Sequence, residues 1–421
     1  MKLYPDAIFI GAINYDYIFQ SKNKGEDKHS PDSGKEKLNW DIKNGPFDDK
    51  IQELYENYDI KSRQLGGSAF LALRAFKAVD PTLHAAYVGT CGYMNIQDLK
   101  RGGVVQDKDF DMIDNKDWFF DYHNSDSKIE DNIIGRSYVI LDKNSTRGNI
   151  EIDPGINNKL LYFIKQKESQ GADFTDFLSK TRWIHISSLS AFDDFLEIIQ
   201  YIRDAKQRNP FLIVSADLGD EYTSGKRRQL LEKHVFEVFN FIFLSNQEKM
   251  NLLVNPKGRR EKKNDNLKLL FQANGLTTQQ ILVVKQKNKY ELYNNINGQI
   301  SVIRFWQQKL TASSIVNDTG AGDFFAGGFI GGMLSAKFLP HQPMPIDLGS
   351  IVAKERLKSN SIEDACKKAN SEVDKYMKEI YQNEELNIGQ LIKIKWEKVK
   401  NAWIFSIIVS FILGIITTLI V

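Results

Sequence analysis

Cysteine is nearly absent: Cys91 and Cys366 are the only two in 421 residues. Two cannot build a disulfide framework, and their scarcity suits a reducing compartment. Histidine is scarce too, six residues in all. They show no metal-ligand spacing, and no cysteine pair is at hand to complete a zinc site. Neither sign of charge dominates. Fifty-six basic residues against fifty-four acidic ones leave a net charge of +2, so nothing advertises a nucleic-acid surface. There is no internal repeat. The N-terminus lacks a signal-peptide pattern: residues 1–13 hold one lysine and a short apolar run, Ala7–Ile10, that ends at Gly11 and reads as a buried strand. What is present is ordinary globular composition, 42% hydrophobic and 26% charged. Wholesale disorder, collagen and a polytopic membrane protein are excluded. The length allows two or three domains, or one large α/β domain with appendages.

One long apolar run stands apart. Residues 402–421 carry no charge and are dominated by Ile, Leu, Val and Phe. Twenty helical residues span roughly 30 Å, the thickness of a bilayer core. Trp403 stands where an interfacial anchor would, and Lys393, Lys395, Lys398 and Lys400 precede it, as the positive-inside bias asks. The expectation is a C-terminal transmembrane helix at 402–421 on a helical stalk at 376–400, with the preceding domain cytoplasmic. The alternative is a buried core helix.

Between the ends, residues 21–50 are polar, rich in Lys, Asp, Gly and Ser, and read as a surface insertion. After them strands and helices alternate. Strands are expected at Ala85–Val88, Tyr138–Leu141, Trp183–Ile186, Leu212–Val214, Phe241–Leu244 and Ile281–Val284, with helices at Phe192–Arg203 and Lys226–Phe239. Short apolar strands alternating with amphipathic helices imply a parallel sheet covered on both faces.

The stretch with most chemistry runs from Asn317 to Phe329: Asn-Asp-Thr-Gly-Ala-Gly-Asp-Phe-Phe-Ala-Gly-Gly-Phe. Gly320, Ala321 and Gly322 are small residues just before an apolar helical run. Such a loop can point several backbone N–H groups at one anion, and the helix start adds about half a positive charge. Asp323 falls in the first turn, where a carboxylate can take a proton from an attacking hydroxyl. The competing reading is a glycine-rich turn with an aspartate capping the helix. The Walker spacing is absent, since no Gly-Lys-Ser/Thr follows.

This segment resembles the C-terminal signature of the ribokinase-like (PfkB) carbohydrate and nucleoside kinases, of the type Asp-Thr-x-Gly-Ala-Gly-Asp. Gly320-Ala321-Gly322-Asp323 matches its second half, and Asn317-Asp318 stands where Asp-Thr is usual. Gly11-Ala12-Ile13-Asn14-Tyr15-Asp16 is similar to the family's first strand with its substrate aspartate. Gly66-Gly67-Ser68-Ala69 resembles the Gly-Gly turn opening the first helix, and Val88-Gly89-Thr90-Cys91-Gly92 the Gly-x-x-Gly strand end. Asp217 and Asn246 fall where the family has a strand-end aspartate and Asn-x-x-Glu. The resemblance covers residues 4–370.

It implies a ribokinase-like three-layer α/β sandwich, a mostly parallel sheet with a small β lid, over residues 1–375, the lid or insertion lying at about 17–65. It implies ATP and Mg²⁺ as cofactors and a sugar or nucleoside substrate, and it admits a homodimer. Asp323 would be the catalytic base, with Gly320, Ala321 and Gly322 as the anion hole. Asn14, Asp16, Gly66 and Gly67 would face the phosphate acceptor. Asn246, Lys285, Asp318 and Thr319 would serve the nucleotide, with no protein metal ligand assigned. For Lys285 the ordinary alternative is a solvent-facing lysine.

The chain departs from the family at several points. Leu71 stands where the family has an acceptor-contacting Asn, and Tyr93 replaces an acidic residue. Lys249 takes the fourth place of Asn-x-x-Glu, with Glu248 one residue earlier. The glycine after Ile281–Val284 is missing from Gln286-Lys287-Asn288-Lys289. The expected function is therefore an ATP-dependent, membrane-anchored kinase of a sugar or nucleoside hydroxyl. The alternative is a membrane-tethered pseudokinase that binds nucleotide or sugar phosphate.

Overall fold

The structure is a computed structural model that describes residues 4–21, 54–56, 58–94, 99, 104–124, 132–141, 147–187, 195–219, 237–246, 248–249, 280–286, 289–296, 299–306, 320–335 and 365–375. Its strands are β1 (Ala7–Ile10), β2 (Asn14–Ser21), β3 (Tyr58–Gly66), β4 (Ala85–Cys91), β5 (Phe119–Asp121), β6 (Gly135–Leu141) and β7 (Arg147–Asp153) in the first part of the chain. After them come β8 (Trp183–Ile186), β9 (Ile213–Asp217), β10 (Phe241–Ser245), β11 (Ile281–Gln286), β12 (Lys289–Ile296) and β13 (Gln299–Trp306). The helices used below are α1 (Ser68–Val79), α2 (Leu160–Ser169), α3 (Phe174–Ser179), α4 (Phe195–Arg208), α5 (Ala321–Ser335) and α6 (residues 365–375).

Nine strands form one sheet in the order β13-β12-β11-β10-β9-β8-β1-β4-β5. Pairing is parallel from β5 through β11, and the β11-β12-β13 end is antiparallel. The apolar runs explain this. Every residue of Ala7–Ile10 and Trp183–Ile186 is buried, because a parallel strand with helices on both sides has no wet face. Side chains alternate between two cores. Phe9, Tyr87, Trp183, Phe241, Phe243 and Val283 pack beneath α1, α5 and α6. Ile8, Ile10, Val88, Ile184, Val214 and Ile242 pack beneath α2, α3 and α4.

Helix α5 is rich in glycine, and two stripes explain why. A Cβ on Gly327 would lie 1.8 Å from the Ala72 carbonyl oxygen of α1, and one on Gly332 would lie 2.6 Å from Ala365 Cα of α6. The backbones touch, and no side chain fits between them. Gly327 faces Ala72 and Gly331 faces Phe76. The same four-residue step in the same direction makes α1 and α5 parallel, and it brings Ser68 level with Asp323 at their N-termini.

A second sheet, in the order β3-β2-β6-β7, leaves the carboxyl end of β1. Here one expectation needs correcting. Tyr138–Leu141 is a strand, but it belongs to this second sheet and pairs with β2, not to the central one. Local apolar character is the same in both sheets, so only pairing separates them. Of the helix expected at Phe192–Arg203, residues 195–203 lie in α4, which runs on to Arg208, and 192–194 lie outside the described residues. Of the helix expected at Lys226–Phe239, only 237–239 are described, and they are not helical. The polar stretch from residue 22 to 50, the stalk at 376–400 and the apolar run at 402–421 lie outside the described residues. Among the described residues no helix is long and apolar enough to cross a membrane.

Candidate active site

In a parallel sheet the ends of strands and the starts of the following helices leave a crevice at the carboxyl edge. Nine of the sequence-selected residues, Asn14, Asp16, Gly66, Gly67, Lys285, Gly320, Ala321, Gly322 and Asp323, lie in two groups at that edge. The first lies where β2, β3 and the start of α1 meet. Asn14 and Asp16 are on β2, each only 5% exposed. Asn14 pairs with Gly66 across the ladder. A Cβ on Gly66 would lie 1.9 Å from Asp16 Oδ2, so the carboxylate fills the space that any other residue at 66 would need. Gly67 has φ 106°, a left-handed conformation that glycine adopts freely. Its Cβ would meet the Ala12 carbonyl oxygen at 2.1 Å.

Behind this group is a residue that the sequence did not announce. Asn157, fully buried, donates from Nδ2 to the Ile13 carbonyl at 3.0 Å and to Asn14 Oδ1 at 3.1 Å. Its Oδ1 accepts from the Ile13 amide at 3.2 Å and from Thr90 Oγ1 at 3.0 Å. One amide thus ties the β1–β2 connection to β4 and fixes the start of β2. No local pattern marks it, since its partners are 67 to 144 residues away.

The second group is the start of α5. Gly320 has φ 84°, and the Phe324 amide donates to its carbonyl at 2.9 Å, closing the first turn. Ala321, Gly322 and Asp323 fill that turn. Lys285, at the end of β11, is not the solvent-facing lysine of the alternative reading. Its side chain is 17% exposed and pairs with Asp217 at 3.1 Å. A Cβ on Gly322 would lie 2.3 Å from Lys285 Nζ, so the ammonium rests against the glycine of the helix start. Burial alone would lower the Lys285 pKa. The Asp217 carboxylate, then Asp323 and Glu248, outweigh it and raise the pKa. The lysine stays charged beside an α-helix N-terminus, a pairing that suits an anion. Because α1 and α5 are parallel and level at their starts, the Asp16–Gly66–Gly67 group and the Gly322–Asp323–Lys285 group share one crevice.

The Asn246 segment is arranged differently from the sequence expectation. Asn246 is exposed at the helix start after β10. Ser245 Oγ accepts from the Glu248 amide at 3.1 Å, and Glu248 Oε2 accepts from the Ser245 amide at 2.5 Å. This is a capping box, and Ser-x-x-Glu was its signal in the sequence. Lys249 turns to a separate network around Glu291, which is 3% exposed. Glu291 accepts from Gln286 at 2.7 Å, Lys289 at 2.8 Å and Arg304 at 3.1 Å, and from the Tyr293 hydroxyl. Lys249 lies 3.6 Å from it. Burial would raise the Glu291 carboxyl, but Lys289, Tyr293, Arg304 and the Lys249 charge hold it down at about 2. These charges anchor the β11–β12 hairpin that lacks the family's glycine. Leu71 is 2% exposed and packs in the core under α1. Asp318 and Thr319 lie outside the described residues. Among the described residues no group of three or more His, Cys, Asp or Glu could hold a metal ion.

Solved structures share this arrangement of layers. A ribokinase from Giardia lamblia superposes with a TM-score of 0.58 at 14% identity, over 87% of this chain and 93% of that one. Adenosine kinase from Schistosoma mansoni, in complex with 2-fluoroadenosine, also gives 0.58 at 14% identity, over 88% and 96%. Adenosine kinase from Anopheles gambiae, in complex with P1,P4-di(adenosine-5) tetraphosphate, gives 0.57 at 14%, over 89% and 96%. The fold is ribokinase-like. No protein-family model matches the chain, and no curated protein matches it. The central sheet carries Lys285 on β11 next to the Gly322–Asp323 turn of α5, and the second sheet carries Asn14 and Asp16.

Proposed function

We propose that the chain is an ATP-dependent phosphotransferase acting on a hydroxyl of a sugar or nucleoside. The observation that carries this reading is the start of α5, where Lys285 Nζ lies against Gly322 with Asp323 in the same turn. A cation, a helix N-terminus and a side-chain-free backbone make a cradle for a phosphoryl group. The adjacent carboxylate can take the acceptor's proton. Asp16 would orient the acceptor, with Asn14, Gly66 and Gly67 shaping its pocket. The second sheet, including the strands of 17–65, would act as the lid that keeps water out. Magnesium would enter on the nucleotide phosphates, whose charge it offsets. Lys285 and the α5 amides would hold the transferring group in line, and Asp323 would remove the hydroxyl proton. Asp323→Asn keeps the shape and removes the base. Turnover should fall roughly 10²–10⁴-fold while ATP affinity survives; unchanged turnover would overturn the assignment.

A pseudokinase is the second reading, and Leu71 favours it: a core leucine stands where the family has an acceptor contact. Ligand binding in thermal-shift measurements with no turnover of any sugar or nucleoside would select it.

We also propose that 402–421 anchors the chain in a membrane with the kinase domain cytoplasmic, on the strength of its uncharged length and flanking lysines. A chain ending at Lys400 should be soluble and folded, and the full-length chain should resist carbonate extraction. Release of the full-length chain by carbonate would sink the anchor.

A further inference from the structure

Three neighbouring strands end side by side under the start of α5. Asp217 closes β9, opposite Phe243 of β10. Ser245 closes β10 and pairs in register with Lys285 of β11. Register therefore sets a carboxylate, a capping serine and a lysine in one row. The Lys285 ammonium donates to Asp217 Oδ2 at 3.1 Å and lies against Gly322, with Asp323 the next residue of the helix. Lys249, after β10, turns away from this row to Glu291 at 3.6 Å.

A divalent cation on a phosphate is ordinarily held from the protein side by carboxylate oxygens. In this row the carboxylates already have partners. Asp217 holds the ammonium, and Glu248 Oε2 accepts from the Ser245 amide at 2.5 Å. The positive charge of the row is therefore covalently part of the chain. Burial works against that charge, but Asp217, then Asp323 and Glu248, outweigh burial and raise the Lys285 pKa. The charge is in place before any ligand arrives. At 17% exposure it is screened less than a surface charge, and it needs no reorganisation when an anion docks.

We propose that Lys285 is the built-in counter-ion of the phosphate seat, so that the chain binds ATP about as tightly without a divalent cation as with one. This rests on the kinase reading above and adds that nucleotide binding, unlike transfer, does not draw on magnesium.

Calorimetric titration with ATP and no acceptor, once in EDTA and once in magnesium, tests it. Wild type should give two Kd values within about threefold of each other. Lys285→Met combined with Asp217→Asn removes the pair as a unit and leaves neither partner as a lone buried charge. In that variant Kd in EDTA should rise about tenfold or more, the worth of one charged hydrogen bond, and clearly less in magnesium, which brings its own charge to the phosphates. Asp217→Asn alone keeps the ammonium and should keep the wild-type ratio between the two solutions. A purely structural pair would make both variants shift alike, in both solutions. A gap in wild type larger than about threefold overturns the proposal without any variant and leaves the kinase reading intact. So does a ratio that the double variant, folded by its melting transition, does not move. Binding of ATP in neither solution by wild type strikes the kinase reading itself, and the counter-ion with it.

Discussion

Lys285 shows how a residue's meaning changes between sequence and structure. In the chain it is one of 56 basic residues, and a lysine at a strand end is usually wet. In the fold its ammonium rests on Gly322 and pairs with Asp217, and the role proposed for it rests on that contact. Gly322→Ala tests the contact. The added methyl meets the flexible end of the lysine, so the fold should survive within about 1 kcal/mol. The ammonium is pushed off the helix start, and turnover should fall by an order of magnitude or more. Turnover equal to wild type would mean that the lysine does not serve the phosphoryl group. Gly67 differs, because a Cβ there meets backbone at Ala12. Asp323, Gly320 and Asp16 could be picked out of the sequence as candidates because their motifs are local. Asn157 could not, because it acts through contacts 67 to 144 residues away.

At the scale of elements, the pairing of α1 with α5 aligns the two halves of the crevice. The apolar strands were readable from composition, and β1 and β8 fall at the expected residues. Gly320, Ala321 and Gly322 read as an anion loop before an apolar helical run, and the sequence leaves Gly327, Gly328, Gly331 and Gly332 within that run without a role; they serve helix packing. A sequence does not say which neighbour a glycine faces. Nor does it separate β6 from the central strands, since pairing with β2 is a tertiary choice. Gly327→Leu should cost about 2–4 kcal/mol of stability, read as a lowered urea midpoint. It would drive α1 from α5 and lift Ser68 away from Asp323, so activity should fall further than stability alone requires. A variant with wild-type midpoint and activity would show that the helices do not set the crevice.

For the whole molecule, one contribution to stability between about pH 7 and pH 5 comes from a buried group beneath the site. His185 is 1% exposed and its Nδ1 lies 2.9 Å from Ser215 Oγ. Burial lowers its pKa to about 4, an effect that the Asp217 carboxylate opposes and the Lys285 charge reinforces. The unfolded chain takes up a proton near pH 6.5 and the folded chain only near 4. Stability from this group is full above 6.5 and is lost as pH falls through that window. From pH 7 to pH 5 the loss should be about 2 kcal/mol, seen in urea midpoints, and His185→Gln should flatten that part of the profile. An equally steep profile in the variant would assign the acid sensitivity elsewhere. The central claim, that this ribokinase-like fold transfers phosphate from ATP to a small hydroxyl acceptor, is tested most directly by acceptor-dependent ADP formation across a panel of sugars and nucleosides with magnesium. At least one acceptor should drive ADP release with wild type, and Asp323→Asn should slow it at least about a hundredfold. Acceptors that bind without driving ADP release, or equal rates in wild type and Asp323→Asn, would contradict the claim.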